Sequence, residues 1–205
     1  MNLNGEMLAV CRLPIDSTCD GCHAQYMELL FRNTEFELEG CSGRFNATPD
    51  MDMHRALQLC LDVPRWIAAI AVARPYPNDD ALVSAVFTAA DPLTEDEIAC
   101  ALQVHPRIGE RPDGDDGHAE QARGEQSGVD ITQTHVRRRL RDGNLEYERR
   151  FGRVFLIRAA GRDGSEILAA LEQRLDNDPA TELRIVEREL REIAALRLVR
   201  GFADA

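Results

Sequence analysis

The sequence predicts an all-α fold: a single compact multi-helix domain behind a poorly structured N-terminal leader. Three observations carry that prediction. Residues 51–112 and 118–203 read as helix after helix, punctuated by helix-start signals. Only Val154 to Ile157 looks strand-like, and four residues cannot make a sheet by themselves. The first stretch has no sustained helical period and much glycine. The division is drawn at 1–48 for the leader and 49–205 for the helical domain.

The leader holds four of the six cysteines, Cys11, Cys19, Cys22 and Cys41. Within it, Cys19-Asp20-Gly21-Cys22-His23 is formally a haem-attachment string and half of a zinc site. A zinc set of Cys19, Cys22, His23 and Cys41 stands as one reading. A disordered or mis-started leader, with the true start near Met51 or Met53, is the reading preferred. On it the helical domain folds and works without residues 1–48. Downstream, Thr94 with Glu97 forms a capping box that opens an amphipathic helix through Val104. A polar loop of turn residues lies between Glu110 and His118. Ser165 or Asp163 caps the helix that carries Ile167, Leu168, Leu171 and Leu175. Asp178-Pro179 places an N-cap before a proline at the first helical position, opening a long final helix toward Phe202.

Charge and hydropathy remove several classes of function. A net charge of −12 argues against nucleic acid as a partner. All 24 basic side chains counted as Lys or Arg are Arg, which suggests a GC-rich bacterial genome. Those between Arg137 and Arg200 interleave with acidic residues, the pattern of solvated helix faces. The longest apolar run, Trp66 to Ala73, falls far short of the roughly 20 residues that span a bilayer. Neither Met1–Arg12 nor Gly201–Ala205 resembles a secretory, peroxisomal or lipidation signal, so a cytoplasmic bacterial protein is expected.

Three segments carry candidate chemistry. In the final helix Leu183, Val186, Leu190 and Ile193 form one apolar stripe, and four residues further on it stands Arg197. A buried guanidinium there must snorkel or pair, as a structural salt bridge or as an anchor for a substrate anion. In His105-Pro106-Arg107-Ile108-Gly109-Glu110, proline ends the preceding helix at His105. The negative potential of a helix C-terminus favours the protonated imidazole, which suits acid–base chemistry as well as simple termination. Glu125-Gln126 sits in the segment AEQARGEQSG, where the two side chains face one pocket only if it lies between them.

Taken with VPRWIAAIAVARPYPN (63–78), DGNLEYERRFGRVFLIRAAGR (142–162) and ELRIVERELREIAALRL (182–198), these segments have a specific order and spacing. From about Met51 to Phe202, some three-quarters of its length, the chain resembles the 2-oxo-4-hydroxy-4-carboxy-5-ureidoimidazoline (OHCU) decarboxylase family. The resemblance implies a small-molecule substrate, cofactor-independent loss of CO₂ to give (S)-allantoin in urate catabolism, and a homodimer. It implies catalytic roles for His105, Glu125 and Arg197. Substrate contacts would come from Pro106, Gln126 and the backbone of Phe155, Leu156, Ile157, Arg158 and Ala159, with unpaired N–H groups of that extended run binding ring carbonyls. Ala122 stands where the family commonly has serine, and Gly124 replaces a usually larger residue.

The reaction implied needs no electron sink from a cofactor, because a carbonyl beside the carboxylate-bearing carbon accepts the electron density as an enolate. The chain has no lysine for a Schiff base. Two other readings stand beside it. One is a catalytically weakened binding or scaffold protein of the same fold. The other is a metal-dependent hydrolase using His105, His118 and His135, whose spacing matches no His-x-x-x-His pattern.

Overall fold

The computed structural model describes residues 40–109 and 134–203, in which every regular element is helical. In chain order these are α1 (Cys41–Ala47), α2 (Asp50–Cys60), α3 (Pro64–Val72), α4 (Asp79–Thr88), α5 (Glu95–Leu102), α6 (Thr134–Phe151), α7 (Gly164–Arg174) and α8 (Pro179–Phe202). The start signals act as the sequence predicts. Thr94 and Glu97 form a reciprocal capping box at α5. Asp163, rather than Ser165, caps α7, with Glu166 reaching back to it. Asp178 accepts from Ala180 and Thr181 at the start of α8, with Pro179 next to it. Val154–Ile157 carries no regular structure and pairs with no strand among the described residues.

The last helix organises the others. α8 is 24 residues long, about 36 Å at 1.5 Å per residue, and it packs against α1, α2, α4 and α5. From Glu189 to Val199 every residue but Leu196 is buried. The sequence stripe of Leu183, Val186, Leu190 and Ile193 is therefore only part of the covered surface. The helix runs through the interior instead of along one side of it.

A second apolar layer lies between α6 and α7, where Leu140, Tyr147, Phe155, Ile167 and Leu171 are all at most 2% exposed. The two helices approach closely at Gly143, where a Cβ would stand 2.7 Å from a Leu171 methyl. α6 ends at Gly152, whose φ of 68° is the left-handed conformation that glycine adopts at least cost.

One boundary moves. Residues 41–47 fall inside the stretch assigned to the leader, yet they form α1 and belong to the core. Cys41 and Phe45 are fully buried, and the Phe45 ring meets those of Tyr76 and Phe202 at 5.8 and 5.2 Å. Asp79 accepts the Ser42 N–H at 2.6 Å, and Asn46 exchanges two hydrogen bonds with the Tyr76 backbone. Arg44 donates to the Phe202 carbonyl at the far end of α8. The sequence concealed this because seven residues are too few to display a helical period. A start at Met51 or Met53 removes α1, so deletion through residue 48 cuts into the core. Cys41, one of the four residues of the zinc reading, is fully buried in α1, where burial pushes its thiol up to about 12. Cys19, Cys22 and His23 lie outside the described residues.

Phe45→Ala therefore destabilises the fold by about 3–5 kcal/mol, the usual result of removing a buried ring. Met51→Ala, at a side chain 85% exposed, stays within about 0.5 kcal/mol of the parent. Denaturant melts of both variants check this, and a Phe45→Ala melt at the parental midpoint returns α1 to the leader.

Candidate active site

His105 follows α5 by three residues. Its backbone N–H bonds to the Leu102 carbonyl at 3.1 Å, and its ring Nδ1 lies 2.9 Å from the Ala101 carbonyl. A carbonyl can only accept, so Nδ1 carries a proton in that bond and Nε2 is the basic nitrogen of the neutral ring. His105 is 8% exposed, so packing holds the ring in addition to that bond. Pro106 then turns the chain away from the helix direction.

The segment after His105 is tied to α6. Arg107 grips the Glu148 carboxylate through Nε at 2.5 Å and Nη2 at 2.8 Å, a two-pronged contact of the kind that fixes geometry. That guanidinium holds the Glu148 carboxyl below the usual carboxylate range. Asn144, 2% exposed, donates to the Ile108 carbonyl at 3.1 Å. Asn144 and Glu148 come from the DGNLEYERRF stretch, which belongs to a family-like segment, though no sequence signal marked these two as supports of the His105 segment.

The irregular stretch Phe155–Ala160 comes to the same place as His105. Together with His105, Pro106, Ile108, Ile193 and Leu196 it lines an open pocket with about 470 Å³ of space, part of it open to solvent. Among the described residues, the N–H groups of Phe155, Leu156, Ile157 and Ala159 find no acceptor in the protein. The Arg158 N–H is different, because it donates to Glu189 at 2.7 Å. The expectation of unpaired donors thus needs one correction: Arg158 offers its amide to the fold, not to a ligand.

The predicted residues divide into three groups. His105, Pro106, Phe155, Leu156, Ile157, Arg158 and Ala159 meet around one pocket, although about 50 positions separate the two segments. Arg197 is buried as expected, at 6% exposure, on the helix that supplies Ile193 and Leu196. It is not among the described lining residues, and its Nη1 donates to the Leu59 carbonyl at the end of α2, at 3.3 Å. Glu125, Ala122 and Gln126 lie outside the described residues, as does His118. The sequence missed Ile108, Ala160, Ile193 and Leu196 as pocket walls, and nothing in their apolar side chains distinguishes a wall from a core. His135 is exposed, and no group of three or more metal-ligating side chains gathers among the described residues.

An all-helical protein whose pocket sets one fixed histidine against a strip of open backbone N–H groups is equipped for acid–base work on a small polar molecule. The OHCU decarboxylase family model matches residues 46–199, and the chain belongs to that family. The 2-oxo-4-hydroxy-4-carboxy-5-ureidoimidazoline decarboxylase of Haloferax volcanii is 34% identical over 141 residues, which is 68% of this chain and 82% of that protein. The uric acid degradation bifunctional protein of Arabidopsis thaliana is 27% identical over 150 residues, covering 72% of this chain but only 46% of the plant protein. A crystal structure of OHCU decarboxylase in the presence of (S)-allantoin aligns with a TM-score of 0.55 at 25% identity, over 71% of this chain and 95% of that one.

The Arg107–Glu148 pair yields a pH test. A carboxyl held below its ordinary range adds stability that is fully present above that range and is lost as pH falls through the lowered value. Glu148→Gln should therefore melt below the parent at pH 7, by a margin that closes in acid. A margin that stays constant to pH 2 removes the charge from the clamp.

Proposed function

We propose that this protein decarboxylates 2-oxo-4-hydroxy-4-carboxy-5-ureidoimidazoline and releases (S)-allantoin, a step of urate degradation. The observation that carries the reading is one pocket lined both by His105, whose Nδ1 is tied to the Ala101 carbonyl, and by the Phe155–Ala160 run, several of whose backbone N–H groups have no protein acceptor among the described residues. The N–H groups of Phe155, Leu156, Ile157 and Ala159 hold the ring's carbonyl oxygens. As the bond to CO₂ breaks, its electron pair passes into the adjacent unsaturation of the ring. The negative charge that develops there falls within reach of the same fixed donors, which need no reorganisation at that moment.

His105 Nε2 takes the proton of the substrate hydroxyl and returns a proton to the new carbanion from one face. Delivery on a single face gives one enantiomer of allantoin. Glu125 orients or polarises the imidazole, and Gln126 contacts the substrate, while Ala122 stands where the family commonly has serine. Arg197 supplies positive charge behind the pocket, where it balances the substrate's anion. The route uses no metal or organic cofactor. A cytoplasmic homodimer completes the reading, in line with the family resemblance and with the absence, among the described residues, of a helix long and apolar enough to cross a membrane.

The test starts from freshly oxidised urate. The parent protein should accelerate formation of (S)-allantoin, and exhaustive chelation should leave the rate unchanged. His105→Asn keeps a polar side chain before Pro106 and the parental melt, yet slows single-turnover decarboxylation by about 10²–10⁴-fold. Arg197→Leu acts mainly on KM, because it removes charge and not a proton carrier. If His105→Asn turns over at the parental rate, the histidine only terminates a helix. Activity lost to chelator and restored by a divalent ion points instead to metal-assisted chemistry.

A further inference from the structure

Among the described residues the strip that lines the pocket has no partner strand to hold it, so something else must fix its peptide planes. Two charged side chains do so. Arg174, in the last turn of α7, donates from Nη1 to the Leu156 carbonyl at 2.8 Å, and its guanidinium carbon lies 4.6 Å above the Phe155 ring. Glu189, in the middle of α8, accepts the Arg158 N–H at 2.7 Å. The Leu156 carbonyl and the Arg158 N–H flank Ile157, so the two bonds clamp the peptides on either side of it.

Both clamps are buried, with side chains 7% and 8% exposed for Arg174 and Glu189. Neither charge is left uncompensated. Glu182, only 1% exposed, receives Arg174 through Nε at 2.9 Å and Nη2 at 2.6 Å, and also accepts from the Tyr147 hydroxyl and from Asn177. Glu189 stands 3.8 Å from Arg174 and 4.0 Å from Arg162. A buried network of this kind is costly to build, and well-packed apolar residues often serve stability as well or better. What apolar residues cannot do is orient a peptide group.

We propose that Glu189 and Arg174 are positioning residues for substrate binding: by clamping the two peptides around Ile157, they aim the open N–H groups of the Phe155–Ala159 strip at the ring oxygens. This inference rests on the decarboxylase reading above. It makes a substrate-binding surface out of backbone whose geometry is set by two side chains, Arg174 on α7 and Glu189 on α8, that do not themselves line the pocket.

The experiment measures KM and kcat for allantoin formation, together with thermal melts. Glu189→Gln keeps an oxygen that can accept the Arg158 N–H, and its KM should remain within roughly threefold of the parent. Glu189→Met has similar length but no oxygen, and should raise KM by about 10–100-fold, the loss expected for a hydrogen bond to a charged group. Arg174→Lys keeps a cation beside Glu182 but loses the planar fork that reaches the Leu156 carbonyl, and should raise KM by a similar factor. In all three, kcat falls far less than in His105→Asn. Either of the last two variants, if folded, decides the matter. Parental KM in a folded Glu189→Met or Arg174→Lys overturns the proposal, as does a Glu189→Gln variant impaired as much as Glu189→Met. A parent protein that forms no allantoin removes the function reading and this inference with it, whereas an active parent with unaffected variants removes only the inference.

Discussion

Everything in this fold depends on carrying charged residues through the interior on α8. Glu182, Glu189, Arg191, Glu192 and Arg197 are all at most 8% exposed. An isolated ion in such surroundings costs several kcal/mol, so each needs a partner of opposite charge or a set of polar groups. The partners are largely the ends of other elements. Arg191 donates to the carbonyls of Val86, Ala89 and Ala90, where α4 terminates, and pairs with Glu187 at 2.9 Å. Arg197 meets the Leu59 carbonyl at the end of α2. Glu187 takes the Leu93 N–H just before α5.

Helix termini leave carbonyls without intrahelical donors, and a buried carbonyl left that way is costly. A central helix rich in arginine answers both demands together. The guanidinium finds acceptors, and the ends of surrounding helices find donors. The contacts are also directional, so they set where α2 and α4 stop relative to α8, which apolar packing alone leaves looser. Trp66 adds to the same junction by donating its indole N–H to the Val86 carbonyl at 3.0 Å.

The pocket inherits this logic. One wall is a helix end, with His105 held against the last turn of α5. The other is an irregular strip, held by carboxylate and guanidinium groups from α7 and α8. Helix ends and extended backbone are where N–H and C=O groups are available to a ligand, and they can be buried only if side chains satisfy the remainder. Arg107 with Glu148, Asn144 with the Ile108 carbonyl, and Glu189 with the Arg158 amide are that remainder. Their arrangement lets the strip present open donors without collapsing onto a neighbouring strand.

By itself the sequence determined that the domain is helical and where three of its helices begin, because capping is a local matter. Thr94, Asp163 and Asp178 each bond to amides two or three residues ahead. It also determined the family, through motifs whose order survives without any structure, and it singled out His105 and the Phe155–Ala159 strip, which the fold brings to one pocket. It did not show that α1 belongs to the core, since that short helix is held by Asp79, Tyr76 and Phe202, all distant in the chain. Nor did it reveal the buried network: interleaved Arg and Glu looked like solvated helix faces, the ordinary meaning of that pattern. Only the tertiary structure decided otherwise, because the groups that make burial of those charges possible come from far away in sequence. Arg191 bonds to a carbonyl 102 positions distant and Arg197 to one 138 positions distant. Helical periodicity records which residues share a face, but the chemistry facing them is set by packing.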